Sequence, residues 1–217
     1  MIKKSEYLKT FILATCAGSC IGIGGTVYLL CPNKLIGAFL FSVGLITILL
    51  FRLKLFTGMT GYLFDEAHKF NYILKLIIVW FGNFCGTFLV GTAIRSSRLA
   101  STAVPTAQAI ITTKLTDTWY SLIILGIFCG MLMYIGVDSF KKSSNQYSTL
   151  STITPILCVA TFIIAGFEHC IADMYYFTVA GPSWSSLLAL IFITTGNIIG
   201  SFVIPMTGVL IRRLSNE

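Results

Sequence analysis

Long apolar runs separated by short polar segments make up most of this chain, and several runs are as long as a membrane span. Uninterrupted apolar stretches cover residues 11–30, 72–94 and 115–137, and another follows residues 181–182 and ends at the arginine pair 212–213. About 20 predominantly apolar residues allow an α-helix to cross the hydrocarbon core of a bilayer. The pattern therefore predicts a membrane-spanning helix at each of these four places.

Two further apolar regions, 35–64 and 150–180, are longer, and each is interrupted near its middle. Residues 52–54 interrupt the first region and residues 166–169 interrupt the second. We interpret each region as one span made of two half-helices around a non-helical break. Irregular backbone is tolerated at membrane depth only where protein buries it or where it lines a cavity. The prediction is an all-α membrane protein with six transmembrane helices, the second and fifth broken, in a single transmembrane domain over residues 1–217.

The polar connections are expected to be loops. They are residues 65–71, residues 138–149, and a longer segment, 95–113, which contains Pro105 and ends at Lys114. Of all residues, 56% are hydrophobic and 11% are charged, whereas soluble domains carry about 25% charged residues. No polar segment is long enough for a sizeable domain outside the bilayer, so the function is expected within the membrane. The net charge of +7 is informative for orientation and is not a nucleic-acid signal.

The basic residues are distributed unequally between the two sides that six spans define. Six spans place both termini on one side, together with nine basic residues: Lys3, Lys4, Lys9, Lys69, Lys75, Lys141, Lys142, Arg212 and Arg213. The opposite side has three, Lys34, Arg95 and Arg98. Because cytoplasmic loops carry an excess of Lys and Arg, this distribution predicts a plasma-membrane protein with both termini in the cytoplasm.

A short motif occurs once in each half of the chain. Residues 81–88 reappear as residues 195–202, with Gly, Asn, Gly and Phe matching at an offset of 114 positions. The same offset places Lys54 on Glu168, so the two interruptions fall at equivalent positions. Three spans per half make the halves inverted relative to each other, in a 3+3 repeat. Paired interruptions in an inverted repeat indicate a binding site near the middle of the membrane.

The second interruption concentrates ionisable side chains. Residues 165–173 contain Glu168, His169, Cys170 and Asp173 within an otherwise apolar region. Ionisable groups at bilayer depth cost about 2.5–3.5 kcal/mol each on insertion scales, so they usually face a protein interior or a pathway. His169 can hold or lend a proton near neutral pH; the alternative is a core histidine that a neighbouring helix satisfies. Glu168 is expected to satisfy backbone donors in the break, and Cys170 and Asp173 are interpreted as structural.

These motifs together resemble the formate/nitrite transporter family over nearly the whole chain. The resemblance rests on residues 41–45, 55–58, 81–83, 166–169 and 196–200, with Lys114, Ala172 and Met174. It implies a homopentameric channel for small monovalent anions, built from aquaporin-like protomers. In that family each protomer contains its own pore, with two apolar constrictions around a polar chamber.

Carried over to this chain, the resemblance implies a set of pathway residues. The cytoplasmic constriction would be formed by Phe41, Leu45 and Phe162, and the outer constriction by Leu55, Phe56 and Met133. His169 and Thr57 would mark the chamber, and Lys114 would lie near the outer entrance. Asn83 and Asn197 are expected to hydrogen-bond the backbone of the two breaks.

These residue types suit a weak-acid anion. An apolar ring excludes hydrated ions, whereas an anion that has taken up a proton is neutral and crosses far more readily. Lys114 would raise the local anion concentration, and the hydroxyl of Thr57 can hydrogen-bond the imidazole or the substrate. The alternative for Lys114 is an interfacial lysine that extends to water.

The chain departs from the formate members of the family at three positions. It has Gly130 where those members carry asparagine, and Cys170 and Asp173 where they carry serine and asparagine. These departures suggest another branch, such as the hydrosulfide channels. The leading hypothesis is therefore a channel or transporter for formate, nitrite or hydrosulfide, with protons and the lipid bilayer as further partners.

The sequence leaves two other function classes as alternatives. One is an aquaporin-like channel for neutral solutes. The other is an intramembrane metal-dependent enzyme built on residues 168–173; it is disfavoured because the chain has no HExxH motif and its only other histidine, His68, lies in a predicted loop. We expect no enzymatic activity, no cofactor, no resident metal and no nucleic-acid partner.

Overall fold

The computed structural model describes residues 4–142 and 148–215, and the regular structure in these ranges is entirely helical. The helices are α1 (Lys4–Leu30), α2 (Lys34–Leu50), α3 (Lys69–Arg95), α4 (Ala100–Thr116), α5 (Trp119–Lys141), α6 (Thr149–Ala165), α7 (Cys170–Ala180) and α8 (Trp184–Leu214), with a 3₁₀ turn at Thr60–Phe64. This confirms the all-α prediction for the described part. Lys3, counted above among the basic residues, and residues 143–147 of the second polar loop lie outside it.

Four of the described helices, α1, α3, α5 and α8, are long and apolar enough to cross a bilayer. They coincide with the four uninterrupted stretches, although α5 begins at Trp119 and not at residue 115. Helices α6 and α7 meet at a bend of 53° and together could form a fifth span. Helix α2 is apolar but shorter, at 17 residues. Glycine at position 166, with φ of 72°, ends α6 in the left-handed conformation that suits glycine.

The loop predicted for residues 95–113 is wrong, because this segment forms most of helix α4. Pro105 lies inside the helix and removes one backbone hydrogen bond. Tertiary packing offsets this loss, since Ala103 and Ala107 are fully buried and α4 packs against α7 and α1. Small side chains allow such close helix contact in membrane proteins.

The half-helix predicted after the first interruption is also wrong. Residues 51–59 form turns and irregular backbone, and only Thr60–Phe64 winds further, as a 3₁₀ turn. Arg52 has φ of 53°, so the chain turns sharply directly after α2, near the predicted position of the interruption. Beyond this turn, side chains of neighbouring helices and a few turn hydrogen bonds, such as that from Met59 N–H to Phe56 O at 2.9 Å, hold the backbone.

The two halves use the same helix contacts. Helix α1 packs against α2 and α3, and helix α5 packs against α6 and α8. Gly18 of α1 lies against the backbone of Asn83, and Gly130 of α5 lies against the backbone of Asn197; a Cβ atom at either glycine would overlap the asparagine main chain. The glycine that departs from the formate pattern therefore permits close packing of α5 on α8.

Candidate functional site

His169 and Thr57, from the two interrupted regions, are in direct contact. Nε2 of His169 lies 2.9 Å from Oγ1 of Thr57, and both side chains are buried. Nδ1 of His169 accepts a hydrogen bond of 3.1 Å from the backbone N–H of Ala172 and thereby caps α7. Because Nδ1 is an acceptor, a neutral ring carries its proton on Nε2 and donates it to the threonine oxygen. The hydroxyl hydrogen of Thr57 is then free to point at another acceptor.

Aromatic rings adjoin this histidine on one side. Phe162 stacks on the imidazole with ring centroids 5.3 Å apart, and Phe41 meets Phe162 edge-on at 6.2 Å. Leu45, one turn along α2 from Phe41, is completely buried. Two of the predicted constriction residues, Phe41 and Phe162, therefore form an aromatic pair beside His169.

Lys114 lies in a buried ion cluster with two carboxylates. Its ammonium group donates to Oε2 of Glu168 and lies 3.0 Å from Oδ1 of Asp173. The exposed side-chain fractions are 12% for Lys114, 6% for Glu168 and 1% for Asp173. The lysine therefore does not extend to water as the alternative interpretation supposed. Sequence reasoning missed Asp173, although it lies one helical turn after His169, the residue that caps α7.

A cavity of about 110 Å³ connects these groups. We call it the lysine cavity; it is lined by Tyr28, Ile110, Lys114, Phe162, Ile163, Gly166, Phe167, His169, Ala172, Asp173 and Tyr176. An acidic and a basic side chain, the histidine and an aromatic ring of the constriction thus face one small space. Such a combination of apolar walls with a few convergent polar groups is typical of a ligand site.

A larger cavity of about 500 Å³, which we call the basic cavity, opens at the other end of the molecule. Its charged lining consists of Arg52, Lys54, Asp65, Glu66, Lys75 and Lys141. Leu55 also lines it, whereas Phe56 lines a separate apolar groove together with Trp80 and Phe81. The structure thus does not bring Phe56 to the cavity that Leu55 borders, and it places Met133 in the core, 1% exposed.

The positions of the cavities contradict the predicted sides of the two constrictions. Phe162 was expected on the cytoplasmic side and Lys114 near the outer entrance, yet both line the lysine cavity, beside Tyr28 at the end of α1. At 1.5 Å per helical residue, Phe41 lies only about 10 Å from the start of α2. The constriction of Phe41 and Phe162 therefore lies on the same side of the molecule as Lys114. Leu55 lies on the opposite side.

Asn83 holds the first irregular segment. Its Oδ1 accepts the backbone N–H of Phe56 at 2.9 Å. Its Nδ2 donates to the carbonyl oxygens of Ala14 and Lys54, both at 2.8 Å. One fully buried amide thus bonds the irregular backbone to α1.

Asn197 makes the equivalent bonds at the second break. Its Oδ1 accepts the backbone N–H of Cys170 at 2.9 Å, and its Nδ2 donates to Gly126 O at 2.9 Å and Glu168 O at 2.7 Å. The bonded break residues, 56 and 54 in one half and 170 and 168 in the other, are separated by the same 114 positions as the two asparagines. Within the described residues, no group of three or more His, Cys, Asp or Glu is arranged to hold a metal ion.

Characterised proteins with related sequences are formate channels and transporters. The protein named "Formate channel FocA" from Haemophilus influenzae is 26% identical over 188 residues, which cover 76% of this chain and 64% of that protein. This chain thus spans slightly less than two thirds of that relative. A "Probable formate transporter" from Methanothermobacter thermautotrophicus is 24% identical over an alignment of 242 residues, gaps included. The alignment covers 93% of this chain and 87% of that protein.

Solved structures with the same fold cover nearly the whole chain. A "Pentameric formate channel with formate bound" superposes with a TM-score of 0.83 at 26% identity, over 98% of this chain and all of the other. An "FNT family ion channel" gives a TM-score of 0.78 at 21% identity, over 94% and 90% of the two chains, and supports the fold alone.

The family described as "Formate/nitrite transporter" matches residues 2–211, nearly the full length. Its members are transport proteins and not enzymes, and the long apolar helices agree with a multi-pass membrane protein. The resemblance seen in the sequence motifs is confirmed, and the chain belongs to the formate/nitrite transporter family.

Proposed function

We propose that the chain forms a plasma-membrane conduit for small monovalent weak-acid anions: formate, nitrite or hydrosulfide. The observation that carries this proposal is the lysine cavity, where Lys114, His169 and Phe162 meet, with Phe41 packed edge-on against Phe162. The ammonium group of Lys114 attracts an anion, and the apolar constriction of Phe41 and Phe162 favours passage of a neutral species. The formate channels among the relatives support the substrate class.

The proposed architecture has six spans in a 3+3 inverted repeat within one channel domain. Helix α2 with the irregular residues 51–64 serves as the second span, and α6 with α7 serves as the fifth. The matching bonds of Asn83 and Asn197 support this equivalence. The distribution of basic residues supports cytoplasmic termini, which would put the lysine cavity on the outer side.

The proposed assembly is a homopentamer with one pathway in each subunit. Large apolar side chains such as Phe88, Leu89 and Ile191 are exposed on the helices of the single chain. Exposed apolar area of this kind is covered by lipid or by neighbouring subunits in a membrane protein. Similarity to a pentameric formate channel favours neighbouring subunits for part of it.

In the proposed transport step, Lys114 draws the anion into the lysine cavity, and Thr57 supplies a hydrogen-bond donor. His169 fixes the orientation of Thr57, because its Nε2–H occupies one lone pair of the threonine oxygen. A second proton on Nδ1 would replace the acceptor of the α7 cap by a donor that faces another N–H. The geometry therefore suits a neutral imidazole that orients Thr57 through its Nε2–H.

Replacing His169 with alanine tests this arrangement. The substitution removes the acceptor that caps α7, which costs about 1 kcal/mol, and frees the hydroxyl of Thr57. We expect lower formate flux into liposomes, because Thr57 loses the donor that orients its hydroxyl. His68→Ala is the matched control, because this histidine directly precedes α3 but its side chain makes no hydrogen bond to the start of that helix. An unaltered flux in His169→Ala would remove His169 from the mechanism.

The basic cavity gives a second prediction. Lys141 lines it, with its ammonium group 4.2 Å from the ring centroid of Tyr62. Lys141→Met should reduce flux severalfold at low formate concentration and little at saturation, because it removes an anion-attracting charge at this mouth. Lys142→Met is the control, since Lys142 is 64% exposed and paired with Asp138. Equal flux in both variants at low formate would exclude a role for Lys141.

A further inference from the structure

The ion cluster in the lysine cavity has an unbalanced charge. One ammonium group, Lys114, faces the two carboxyl groups of Glu168 and Asp173. If both carboxyls were ionised, one negative charge would remain uncompensated in a buried site. Burial of an unpaired charge costs several kcal/mol, and two adjacent carboxyls commonly share one proton instead.

An unpartnered oxygen points to where such a proton resides. Oδ2 of Asp173 is buried and accepts no hydrogen bond from the residues that the structure describes. Oδ1 of the same carboxyl is already engaged by Lys114 at 3.0 Å. Asp173 also interacts with Glu168, so a proton on either carboxyl would convert two opposed acceptors into a donor and an acceptor. Buried polar atoms are rarely left unsatisfied, so the bare oxygen indicates a missing partner.

We infer that Glu168 and Asp173 share one dissociable proton, held beside Lys114, and that this pair is the proton donor to the anion in the lysine cavity. The inference rests on the proposed transport function and assigns its proton to a site other than His169. The titratable and charged groups around Asp173 are Lys114 from α4, Cys129 from α5, Tyr28 from α1, Glu168 and His169 from the break, and Cys170 and Tyr176 from α7. Lys114 is the only cation among them.

The step balances without any further reactant. With formate as substrate, the O–H bond of the protonated carboxyl breaks and an O–H bond forms on formate, which gives formic acid. The pair is left as two carboxylates, and the neutral acid passes the ring of Phe41 and Phe162. A proton from the solvent on the entry side then returns to the pair through the lysine cavity, and formic acid releases its proton on the far side. One proton therefore accompanies each formate.

Infrared difference spectroscopy tests the proton directly, without any transport. A protonated carboxyl has a C=O stretching band that a carboxylate lacks. In the purified full-length protein we expect one such band, which disappears at high pH, shifts when formate is added and is missing in Asp173→Asn and Glu168→Gln. Asp117→Asn is the control, because Asp117 is exposed and lies outside the cluster. A spectrum of Asp173→Asn identical to that of the unchanged protein would overturn the inference.

Flux measurements in liposomes test the coupling. A step that needs one bound proton slows about tenfold for each pH unit above the pKa of the group that holds the proton. In the unchanged protein and in Asp117→Asn we expect this pH dependence and the movement of one proton per formate. In Asp173→Asn we expect a flux that does not depend on pH. The same pH profile and stoichiometry in Asp173→Asn would refute the proton site while leaving transport intact. Absence of formate flux in the unchanged protein would instead refute the proposed function.

Discussion

Replacing Lys114 with methionine is expected to destabilise the protein by about 3–5 kcal/mol, because it leaves two buried carboxyls without their cation. The lysine donates to Glu168 and lies 3.0 Å from Asp173 in a site with almost no exposure. Formate flux should fall strongly at low formate concentration, since no other cation lines the described part of the lysine cavity. Thermal unfolding of the purified protein and flux into liposomes are the measurements.

A control variant and a triple variant separate the loss of the ion cluster from a general effect of removing a lysine. Lys34→Met is the matched control, because this lysine donates to the carbonyl oxygens of Tyr28 and Leu29 near the surface, at 3.1 and 3.3 Å, and lies over the Tyr28 ring. Its loss should cost less than about 1 kcal/mol. Adding Glu168→Gln and Asp173→Asn to Lys114→Met should restore most of the lost stability, because no buried charge then remains unpaired. A Lys114→Met protein as stable as Lys34→Met would show that the cluster contributes little.

The second large effect is expected from Asn197→Ala. The substitution removes three hydrogen bonds, to the backbone of Cys170, Gly126 and Glu168. Each buried backbone group left without a partner costs about 1–3 kcal/mol, so the break should loosen and flux should be lost. The thermal midpoint and the formate flux are the measurements.

The equivalence of the two halves makes this prediction stricter. Asn83→Ala breaks three bonds of the same kind and should cost about as much as Asn197→Ala. Asn71→Ala, near the start of α3, is the control and should change the midpoint little. A large effect at only one of the two asparagines would argue against two equivalent breaks.

The sequence predicts the features that depend on apolar length and local composition. Four helices were predicted because each run of apolar residues is long enough to span a bilayer. The second break was located because Gly166 and the ionisable residues after it interrupt such a run, and glycine indeed takes the left-handed conformation there. These signals lie within a few residues of one another along the chain.

Features that depend on tertiary contacts were missed. Pro105 and the polar residues around it indicated a loop, whereas packing of Ala103 and Ala107 makes this segment helical. Asp173 was interpreted as structural because its partner Lys114 lies 59 positions away in the sequence. The predicted sides of the two constrictions are wrong, because the motifs identify the residues but do not show how far α2 extends across the membrane before the chain turns.

A side-by-side flux measurement with formate, nitrite, hydrosulfide and chloride tests the central claim most directly. Liposomes containing the purified full-length protein should take up at least one of the three weak-acid anions much faster than protein-free liposomes. Chloride should not cross, because its conjugate acid is too strong to offer a neutral form at the apolar ring. Uptake of chloride at the same rate, or no uptake of any of the four above the protein-free rate, would contradict a conduit for weak-acid anions.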